Sequence, residues 1–565
     1  MPDTIERIAR PLQATRPIPL PLADTPPRAD AIYRPFFKAG IAVTLSLGAV
    51  WGAYLLVRIA LTGSFTAAGL HEVNAHGHAQ IFGWVGLFVM GFAYQAFPRF
   101  KQTSLAHPDL ALASLWLMLS GIIGRSILEP LASAATWAGP AAIAASTLEI
   151  AAIVLFVWII TATWRASGKP LAFYDYYIIC SLAWFIVQAV YESIYLAATL
   201  HAAGRDELIA LVATWQGALR DVQIHGFAML MILGVSQRIF NHFYGVSLPN
   251  RRLSLTALFI LNGAIIGEVL GLVMHRAGGP AWIGLWYASV IVLAGTIAVL
   301  VWNWRIFAAP PEPDRTLKFL RAAYIWLLAS LAMLVLMPIH QYVLIPWLAP
   351  GSEAARLHFS HAYSGAIRHA ITVGFISLMI VGVAARVVPV LNGVDSRRLS
   401  KLWAPFLLLN AGCILRVAGQ TLTDFAPWMF PVAGISGVLE VLGLALWGVH
   451  LWRIMSGRLG IDTLEPTADP AAGESIVAAD RVGAVLDRDP ALLQTFLAFG
   501  FRPLANPLLR RTMARNITIA EACRHMDVAI EPLLAALNDS LARHPQTKAI
   551  SPHCCDSCER RDNHV

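Results

Sequence analysis

The chain has 565 residues, of which 57% are apolar and 13% are charged. Soluble globular proteins average about 45–50% apolar and about 25% charged residues, so an ordinary soluble enzyme, a disordered chain and a collagen-like chain are excluded. The composition predicts a polytopic membrane protein that lies in a lipid bilayer. The net charge of +8 is attributed to loop cations, and no nucleic-acid partner is expected.

The segment 1–36 is rich in arginine and proline, lacks a signal-peptide pattern and is predicted to be a cytoplasmic tail. Residues 37–456 form the membrane domain, in which apolar stretches long enough to cross ~30 Å of hydrocarbon alternate with short polar breaks. We predict twelve transmembrane helices and an all-α fold. The expected ranges are 37–62, 78–98, 109–128, 141–163, 174–200, 218–240, 253–275, 281–303, 321–347, 366–388, 402–420 and 428–452.

The positions of the cations predict the orientation. With the N-terminus in the cytoplasm, 23 Lys and Arg residues up to Arg458 fall on the cytoplasmic side and eight fall on or near the other side. Loops that face the cytoplasm are rich in Lys and Arg, so both termini are expected to be cytoplasmic.

Spans two, six and ten share a glycine pattern. Gly83, Gly226 and Gly374 can be set in register, and each is followed eight residues later by a second glycine. His78 and His369 both stand five residues before the first glycine. A repeat of four spans predicts a pseudo-threefold bundle whose equivalent helices face a common centre.

Polar side chains are concentrated in the outer halves of the spans. Such groups are costly in hydrocarbon and usually face a bundle interior or a cavity, so we expect one polar pocket that opens on the non-cytoplasmic side. The candidate pocket residues are His76 and His78 in span two, Arg220 and His225 in span six, and His358, His361, Arg368 and His369 before or within span ten.

Imidazole is a common ligand of haem iron and copper. His78 and His369 are therefore candidates to hold a haem between spans two and ten, while His225 is a candidate copper ligand or second haem ligand. Arg220 and Arg368 are candidates to pair with haem propionates. His76, His358 and His361 are further candidate metal ligands. The alternative for each histidine is a plain hydrogen-bonding role at the membrane interface.

The composition changes after the last span. Residues 457–477 are predicted to be a linker, and residues 478–545 a small soluble helical domain on the cytoplasmic side. One helix is expected between Asp489-Pro490 and Gly500, and a second begins at the capping box formed by Thr518 and Glu521. A third is expected from about residue 531 to residue 543.

The tail 546–565 is rich in cysteine. It contains His553-Cys554-Cys555-Asp556-Ser557-Cys558. Cys554, Cys555 and Cys558 are candidate ligands for Zn²⁺ or Cu(I), because thiolates at this spacing suit both ions. The other interpretation of this cluster is a reactive or incidental group of thiols.

The stretch from His76 to Gly91, continuing to Pro98-Arg99, resembles the NnrS family. The resemblance covers roughly residues 35–455 and implies a twelve-span protein of the bacterial inner membrane that contains haem and copper and is linked to nitric oxide resistance. The region 478–545 resembles a small helical module of unknown function. Its usual cysteine-containing loop here has no cysteine between Gly500 and Pro507.

In outline the chain is also similar to the catalytic subunits of haem–copper oxidases and nitric oxide reductases. That similarity implies His78 and His369 as haem ligands and His225 as a copper ligand. Span seven, however, has only His275 at its outer end, where the oxidases carry an adjacent histidine pair. An oxygen-reducing centre is therefore not expected.

The leading hypothesis is a membrane protein with haem b and copper that responds to nitric oxide or related nitrogen stress, with nitric oxide or another small gas as ligand. One alternative is a quinol-linked reductase of nitric oxide, which would be an enzyme. A second is a transporter of copper or a small molecule. The sequence does not decide between binding and turnover.

Overall fold

The computed structural model describes residues 31–247, 250–310, 314–394, 396, 399–458, 475–511, 514–515 and 517–543. Within these residues the chain is helical, and there is no strand beyond one bridged pair, Arg481 and Thr518. Twelve helices are long and apolar enough to span a membrane, which confirms the predicted fold class and number of spans. The membrane helices and the C-terminal helices belong to two compact units.

The twelve spanning helices are labelled α1 to α12 in chain order. They are α1 Tyr33–Thr62, α2 Leu70–Phe100, α3 Pro108–Leu131, α4 Ala138–Ser167, α5 Phe173–Leu200, α6 Arg205–Asn241, α7 Arg251–His275, α8 Ala281–Trp304, α9 Leu317–Val335, α10 His361–Leu391, α11 Trp403–Leu422 and α12 Pro427–Met455.

Two differences from the predicted ranges have physical causes. Helices α2, α6 and α10 begin before the predicted residues 78, 218 and 366 because their first turns are polar and yet helical, which a hydropathy pattern does not detect. Helix α9 ends at Val335, before the predicted residue 347. Pro338 follows, and proline has no amide hydrogen and clashes with the preceding turn. Short helical segments then continue from Met337 to Leu357.

Helices α2, α6 and α10 form the centre of the membrane domain. In their most apolar windows 67–89% of the residues are buried, against 28–44% in the other nine spans. Trp84 of α2 donates a hydrogen bond from Nε1 to Ser377 Oγ of α10 at 3.1 Å. A Cβ at Gly77 of α2 would lie 3.4 Å from Arg220 Nη2 of α6. The three central helices therefore contact one another.

Each central helix contains an eight-residue π-helical segment in the same register. The segments are Ala79–Gly86, Val222–Met229 and Ala370–Ser377. Each begins four residues before the first repeat glycine and ends three residues after it. π-Helical insertions are rare and are found mostly at functional sites, so their coincidence supports a true structural repeat.

The repeat glycines pack in equivalent ways. A Cβ would lie 2.4 Å from Val43 Cγ1 of α1 at Gly83, 2.9 Å from Trp184 Cγ of α5 at Gly226, and 2.5 Å from Trp326 Cγ of α9 at Gly374. Each central helix thus packs its glycine on the helix that precedes it. Small residues permit this close approach of helices in a bilayer.

Two further contacts repeat between groups of helices. Trp184 of α5 donates to Asn262 Oδ1 of α7 at 3.0 Å, and Trp326 of α9 donates to Asn410 Oδ1 of α11 at 3.1 Å. The guanidinium of Arg238 lies over the ring of Phe100, and that of Arg386 lies over the ring of Phe243, at 5.1 and 5.4 Å. The twelve helices accordingly form three groups of four.

In its described residues the C-terminal unit has five short α-helices, α13 to α17. They are α13 Val482–Arg488, α14 Leu492–Ala498, α15 Pro507–Arg511, α16 Ile519–Met526 and α17 Ile530–Arg543. Thr518 Oγ1 accepts the Glu521 amide at 3.2 Å while Glu521 Oε2 accepts the Thr518 amide at 2.6 Å. This is the predicted capping box. Leu492, Phe496 and Leu537 are fully buried in a small apolar core.

Candidate functional site

The polar side chains of the central helices lie in their N-terminal parts. Because α2, α6 and α10 have the same direction in an alternating bundle, these parts lie at one membrane face, called here the site end. Three arrangements of histidine occur there, and they differ in which ring nitrogen makes a hydrogen bond and in whether its partner is a carboxylate or a backbone carbonyl. The histidines concerned are His78, His225, His76 and His369.

His78 is enclosed by carboxylates. Its ring is fully buried, with Nε2 at 2.8 Å from Glu149 Oε1 of α4 and Nδ1 at 3.5 Å from Glu192 Oε1 of α5. Both ring nitrogens therefore face acidic side chains. Nδ1 has no hydrogen-bond partner among the described residues, but a haem ligand at this position would have to displace a carboxylate from one of the ring nitrogens.

The two carboxylates near His78 belong to a larger group, called here the acid network. Arg125 of α3 donates from Nε to Glu129 Oε2 at 3.1 Å and from Nη2 to Glu192 Oε1 at 3.0 Å. All the ionisable members named so far have side chains at most 2% exposed. At such depth the carboxylates require compensating cations or protons, since isolated buried charges are costly.

The acid network has a branch toward each side. On one side His71 Nδ1 lies 3.2 Å from Glu129 Oε1, and the His71 side chain is 22% exposed at the start of α2. On the other side Gln223 of α6 donates to Glu192 Oε2 at 2.7 Å and accepts from Arg220 Nη1 at 2.6 Å. Arg220 also lies 3.4 Å from Asn74 Oδ1.

His225 has a different partner. Its Nδ1 lies 2.9 Å from Glu268 Oε2 of α7, and both side chains are buried. Asp221, one helical turn earlier on α6, is within electrostatic range of both groups. A carboxylate on Nδ1 orients an imidazole and leaves Nε2 as the atom able to bind a metal.

His76 and His369 share a third arrangement. His76 Nδ1 lies 3.0 Å from the carbonyl oxygen of Gly48 in α1, and His369 Nδ1 lies 3.0 Å from the carbonyl oxygen of Gly365 one turn earlier in α10. A carbonyl only accepts, so Nδ1 carries the hydrogen in each ring and Nε2 has its lone pair free. The two rings are electrostatic neighbours.

Gly52 of α1 makes room for the His76 ring. A Cβ at Gly52 would lie 2.3 Å from His76 Cε1 and 2.6 Å from Nδ1. Real Cβ atoms do not approach so closely, so the ring packs against bare backbone. Glycine at this position allows the close contact, and the Gly48 carbonyl fixes the direction of the ring.

Three arginines surround His76 and His369. Arg220 of α6 and Arg416 of α11 act electrostatically on His76, and Arg416 and Arg368 act on His369. Asp221 is the acidic group that offsets Arg368. Among the described residues this region therefore carries more cations than anions, which suits an anionic ligand.

Several of these side chains are accessible to solvent although their helices lie at the bundle centre. Arg368 is exposed, and its electrostatic partners Arg220, Asp221 and Tyr195 come from α5 and α6 rather than from its own helix. These accessible polar residues on the central helices are taken together and are called here the central opening. Its accessible residues include His76, Gln80, Arg220, Asp221, Arg368 and His369.

Arg416 borders the central opening with unused donors. Its side chain is 8% exposed, and neither Nε nor Nη1 has a hydrogen-bond partner among the described residues. Glu440 of α12 offsets its charge at longer range, while Glu440 Oε1 and Gln420 Oε1 also lack partners there. Buried donors without partners are uncommon in native proteins and indicate room for a ligand group or water.

The remaining predicted metal ligands lie elsewhere. His358 ends the short helix Glu353–Leu357 and stacks on Tyr342 at 5.5 Å, and His361 contacts the edge of the Phe359 ring at 4.8 Å. Both side chains are exposed, and His361 has an electrostatic interaction with Arg368 but no hydrogen bond to a residue of the central opening among the described residues. Cys554, Cys555 and Cys558 lie outside the described residues. Within those residues there is no group of three or more His, Cys, Asp or Glu arranged to hold a metal ion.

The sequence analysis missed a second repeated pattern. Gly121 and Gly412 are each followed by Arg after four residues and by Glu after 28 residues. The glycines pack against those glutamates: a Cβ would lie 2.4 Å from Glu149 Cγ at Gly121 and 2.7 Å from Glu440 Cγ at Gly412. A constant offset of 291 residues relates these positions, and the same offset relates His78 to His369.

Comparison with known protein families gives two matches. The model of a family described as "NnrS protein" matches residues 29–458, and a "Domain of unknown function (DUF1858)" matches residues 476–534. No curated protein matches the chain. The first match covers more than half of the 565 residues and confirms the predicted resemblance. The chain therefore belongs to the NnrS family, a family of multi-pass membrane proteins related to nitric oxide.

Proposed function

We propose that this protein is a haem protein of the nitric oxide response, with haem b held in the central opening by His76 and His369. The observation that carries the proposal is that the two imidazoles have the same hydrogen-bonding pattern. Each ring has Nδ1 on a backbone carbonyl, at 3.0 Å, and Nε2 makes no hydrogen bond within the described part of the chain. Fixing one ring nitrogen on an acceptor is the usual way in which a protein orients a histidine for metal binding.

The charges around the opening support the same ligand. A haem carries two propionates, and arginine is the residue best suited to bind carboxylates through paired N–H groups. Arg416 brings buried donors that lack partners, and Arg220 and Arg368 lie nearby. The donor set therefore fits an anionic macrocycle with imidazole ligands on its iron.

The choice of His76 rather than His78 follows from the contacts. His78 has a carboxylate at each ring nitrogen, and a haem ligand there would first have to break a buried ion pair. His76 needs no such change. The sequence-based pairing of His78 with His369 stays a prediction that these contacts do not favour.

The bound iron would supply gas binding or electron transfer: one imidazole leaves a coordination position for a gas, and two favour electron transfer. The chain's own contribution is to orient His76 through Gly48 and Gly52 and to place cations around the ligand. Copper has less support, because His225 offers a single imidazole and no three-ligand group occurs among the described residues.

The type of membrane and the orientation of the chain in it are also part of this proposal. We propose the bacterial inner membrane with both termini in the cytoplasm, on the basis of the 23-to-eight distribution of Lys and Arg. The central opening would then face the periplasmic half of the bilayer. Accessible-cysteine labelling from each side of intact spheroplasts tests this topology.

The functional test uses the purified full-length protein, reduced without oxygen. Nitric oxide gas is added, and the visible spectrum is recorded together with the concentration of the gas. A shift of the haem bands at constant gas concentration supports a binding role, and consumption of the gas with a quinol donor supports the reductase alternative. A wild-type protein that contains no haem after expression with haem supply would overturn the proposal.

A cellular test complements the spectrum. Cells that carry wild-type protein are compared with cells that carry His369→Ala during exposure to a nitric oxide donor. The expected result is that only the wild type restores growth, while the matched variant His361→Ala, on an exposed histidine of the same helix, behaves as wild type. Equal growth with wild type and His369→Ala would contradict the proposal.

A further inference from the structure

The acid network connects the surface of the site end to the central opening without a break. Starting at His71, the hydrogen bonds pass to Glu129 at 3.2 Å, to Arg125 at 3.1 Å and to Glu192 at 3.0 Å. They continue from Glu192 to Gln223 at 2.7 Å and from Gln223 to Arg220 at 2.6 Å. Residues from α2, α3, α5 and α6 thus form one hydrogen-bonded chain.

The two ends of this chain differ from its middle. His71 is 22% exposed, and Arg220 is accessible at the central opening, whereas Arg125, Glu129 and Glu192 have side chains at most 2% exposed. A buried hydrogen-bonded chain with one end at the membrane surface and the other at the central opening is arranged as a proton-transfer path would be.

The charges of the network require exchangeable protons. It contains three buried carboxylates, Glu129, Glu149 and Glu192, and one guanidinium among them, that of Arg125. Arg125 compensates one of these charges, and the others would be very costly at this depth unless protons are held on the carboxyl groups or on His78, which lies between Glu149 and Glu192. The third repeat has Arg416 and Glu440 in the equivalent positions and no such excess.

Unpartnered polar atoms line the same path. Arg125 Nη1 and both amide atoms of Gln188, one helical turn before Glu192 on α5, are buried without a hydrogen-bond partner among the described residues. Gln188 is fully buried. Polar atoms of this kind are usually satisfied by internal water. A guanidinium alone does not pass a proton from Glu129 to Glu192. Water bound at Arg125 would connect the two carboxylates for proton transfer.

We propose that the chain from His71 through Glu129 and Glu192 is a proton-transfer path between the membrane surface and the central opening. A proton taken from bulk water by His71 passes to the Glu129 carboxylate and then, through water at Arg125, to Glu192, which releases it to water at the central opening beside Gln223 and Arg220. Each donor regains its original state when the next proton enters, so no oxidant or reductant is needed. The path does not pass through His78, and it stands whether or not the opening binds a haem.

The groups that face Glu192 come from every helix packed around it. They are His78 of α2, Arg125 of α3, Gln223 and Arg220 of α6, and, beyond His78, Glu149 of α4. The cations hold negative charge near Glu192, while Glu129 and Glu149 oppose it. A change of charge in the central opening next to Arg220 would therefore alter how firmly the network holds its protons.

Infrared spectroscopy of the full-length protein in lipid nanodiscs tests the path. The C=O stretch of protonated carboxyl groups is recorded in H2O and at intervals after transfer to D2O. Wild type is expected to show this band and its rapid shift on deuteration. His71→Gln should retain the band and slow its shift by about 10²-fold, the lower end of what a positioned acid–base group contributes.

His201→Gln provides the control, because His201 is an exposed histidine at the end of α5 that bonds only to the carbonyl of Ala197 in its own helix. It should exchange as wild type. Glu192→Gln should remove part of the band. The proposal is overturned if wild type shows no protonated carboxyl band, or if exchange in His71→Gln is as fast as in His201→Gln. Since His71 lies at the partly exposed end, this comparison does not depend on whether Glu192→Gln folds.

Discussion

The first and third repeats carry the same polar residues but use them differently. In the first repeat Arg125 bonds to Glu129 through Nε and to Glu192 through Nη2, Glu149 contacts His78, and Nη1 of Arg125 has no partner among the described residues. In the third repeat Arg416 and Glu440, 291 residues further on, keep unpartnered atoms. His369 there turns to a backbone carbonyl. Among the described residues the arginine of the third repeat therefore has two nitrogens without a partner, and the arginine of the first repeat has one.

A single position explains much of this difference. Gln420 of α11 stands 291 residues after Glu129 of α3. The carboxylate of Glu129 occupies Nε of Arg125, whereas the neutral Gln420 leaves Nε of Arg416 without a partner. Duplicated helices thus acquire different roles through one change of charge in the same geometry.

The largest expected effect concerns the two arginines. Arg125→Met removes the only guanidinium among three buried carboxylates, so it should lower the free energy of unfolding by about 3–5 kcal/mol. Arg416→Met should cost less, because only Glu440 loses its counter-charge and a proton can neutralise it. Thermal unfolding of both variants in detergent measures the difference. A larger loss for Arg416→Met would break the comparison between the repeats.

Gln420→Glu should make the third repeat resemble the first. The new carboxylate would lie near the unpartnered Nε of Arg416, and a hydrogen bond to a charged group is worth about 1.5–3 kcal/mol. Arg416 would then be less available to a propionate, and we expect haem affinity to fall at least tenfold. Haem titration of the apoprotein gives the affinity. Unchanged affinity would remove Arg416 from the proposed site.

The repeat glycines should respond alike. Gly83→Ala, Gly226→Ala and Gly374→Ala each place a Cβ within 2.9 Å of a neighbouring side chain, and overpacking of this kind typically costs about 1–3 kcal/mol. Gly295→Ala is the control, since nothing lies within 4 Å of its added Cβ. Unfolding temperatures report the cost. If one repeat glycine tolerates alanine as Gly295 does, the equivalence of the three packings fails at that helix.

The smallest expected effect is that of the paired tryptophans. Trp184→Phe and Trp326→Phe each remove one hydrogen bond to an asparagine of the next helix but one. Such interhelical bonds average about 0.6 kcal/mol in membranes. The two variants should therefore lose equal, small amounts of stability. A loss in only one of them would show that the second and third groups of helices are not equivalent there.

Much of the fold followed from the sequence because hydropathy and spacing are long-range signals. The twelve spans and the glycine repeat depend on many residues, so an error of a few positions at each end did not matter. The end of α9 was missed because Pro338 lies inside an apolar stretch, and hydropathy does not register the missing amide hydrogen of proline.

The site was harder to predict because it depends on which side chain faces which. The repeat aligns His78 with His369, and alignment alone favours that pair. The observed contacts do not follow this alignment. Glu149 and Glu192 lie beside the ring nitrogens of His78, while Gly48 and Gly52 orient the ring of His76. Residues two apart point to different sides of a helix, and no spacing rule states which side meets the opening.

The haem-to-protein ratio of matched histidine variants tests the central claim most directly. Wild type, His76→Ala, His369→Ala and His78→Ala are expressed with haem supply and purified at full length, and haem is measured against protein. We predict that His76→Ala and His369→Ala lose most of the haem while His78→Ala retains it, provided that all four elute as folded protein. Loss of haem in folded His78→Ala with retention in His76→Ala would contradict the account.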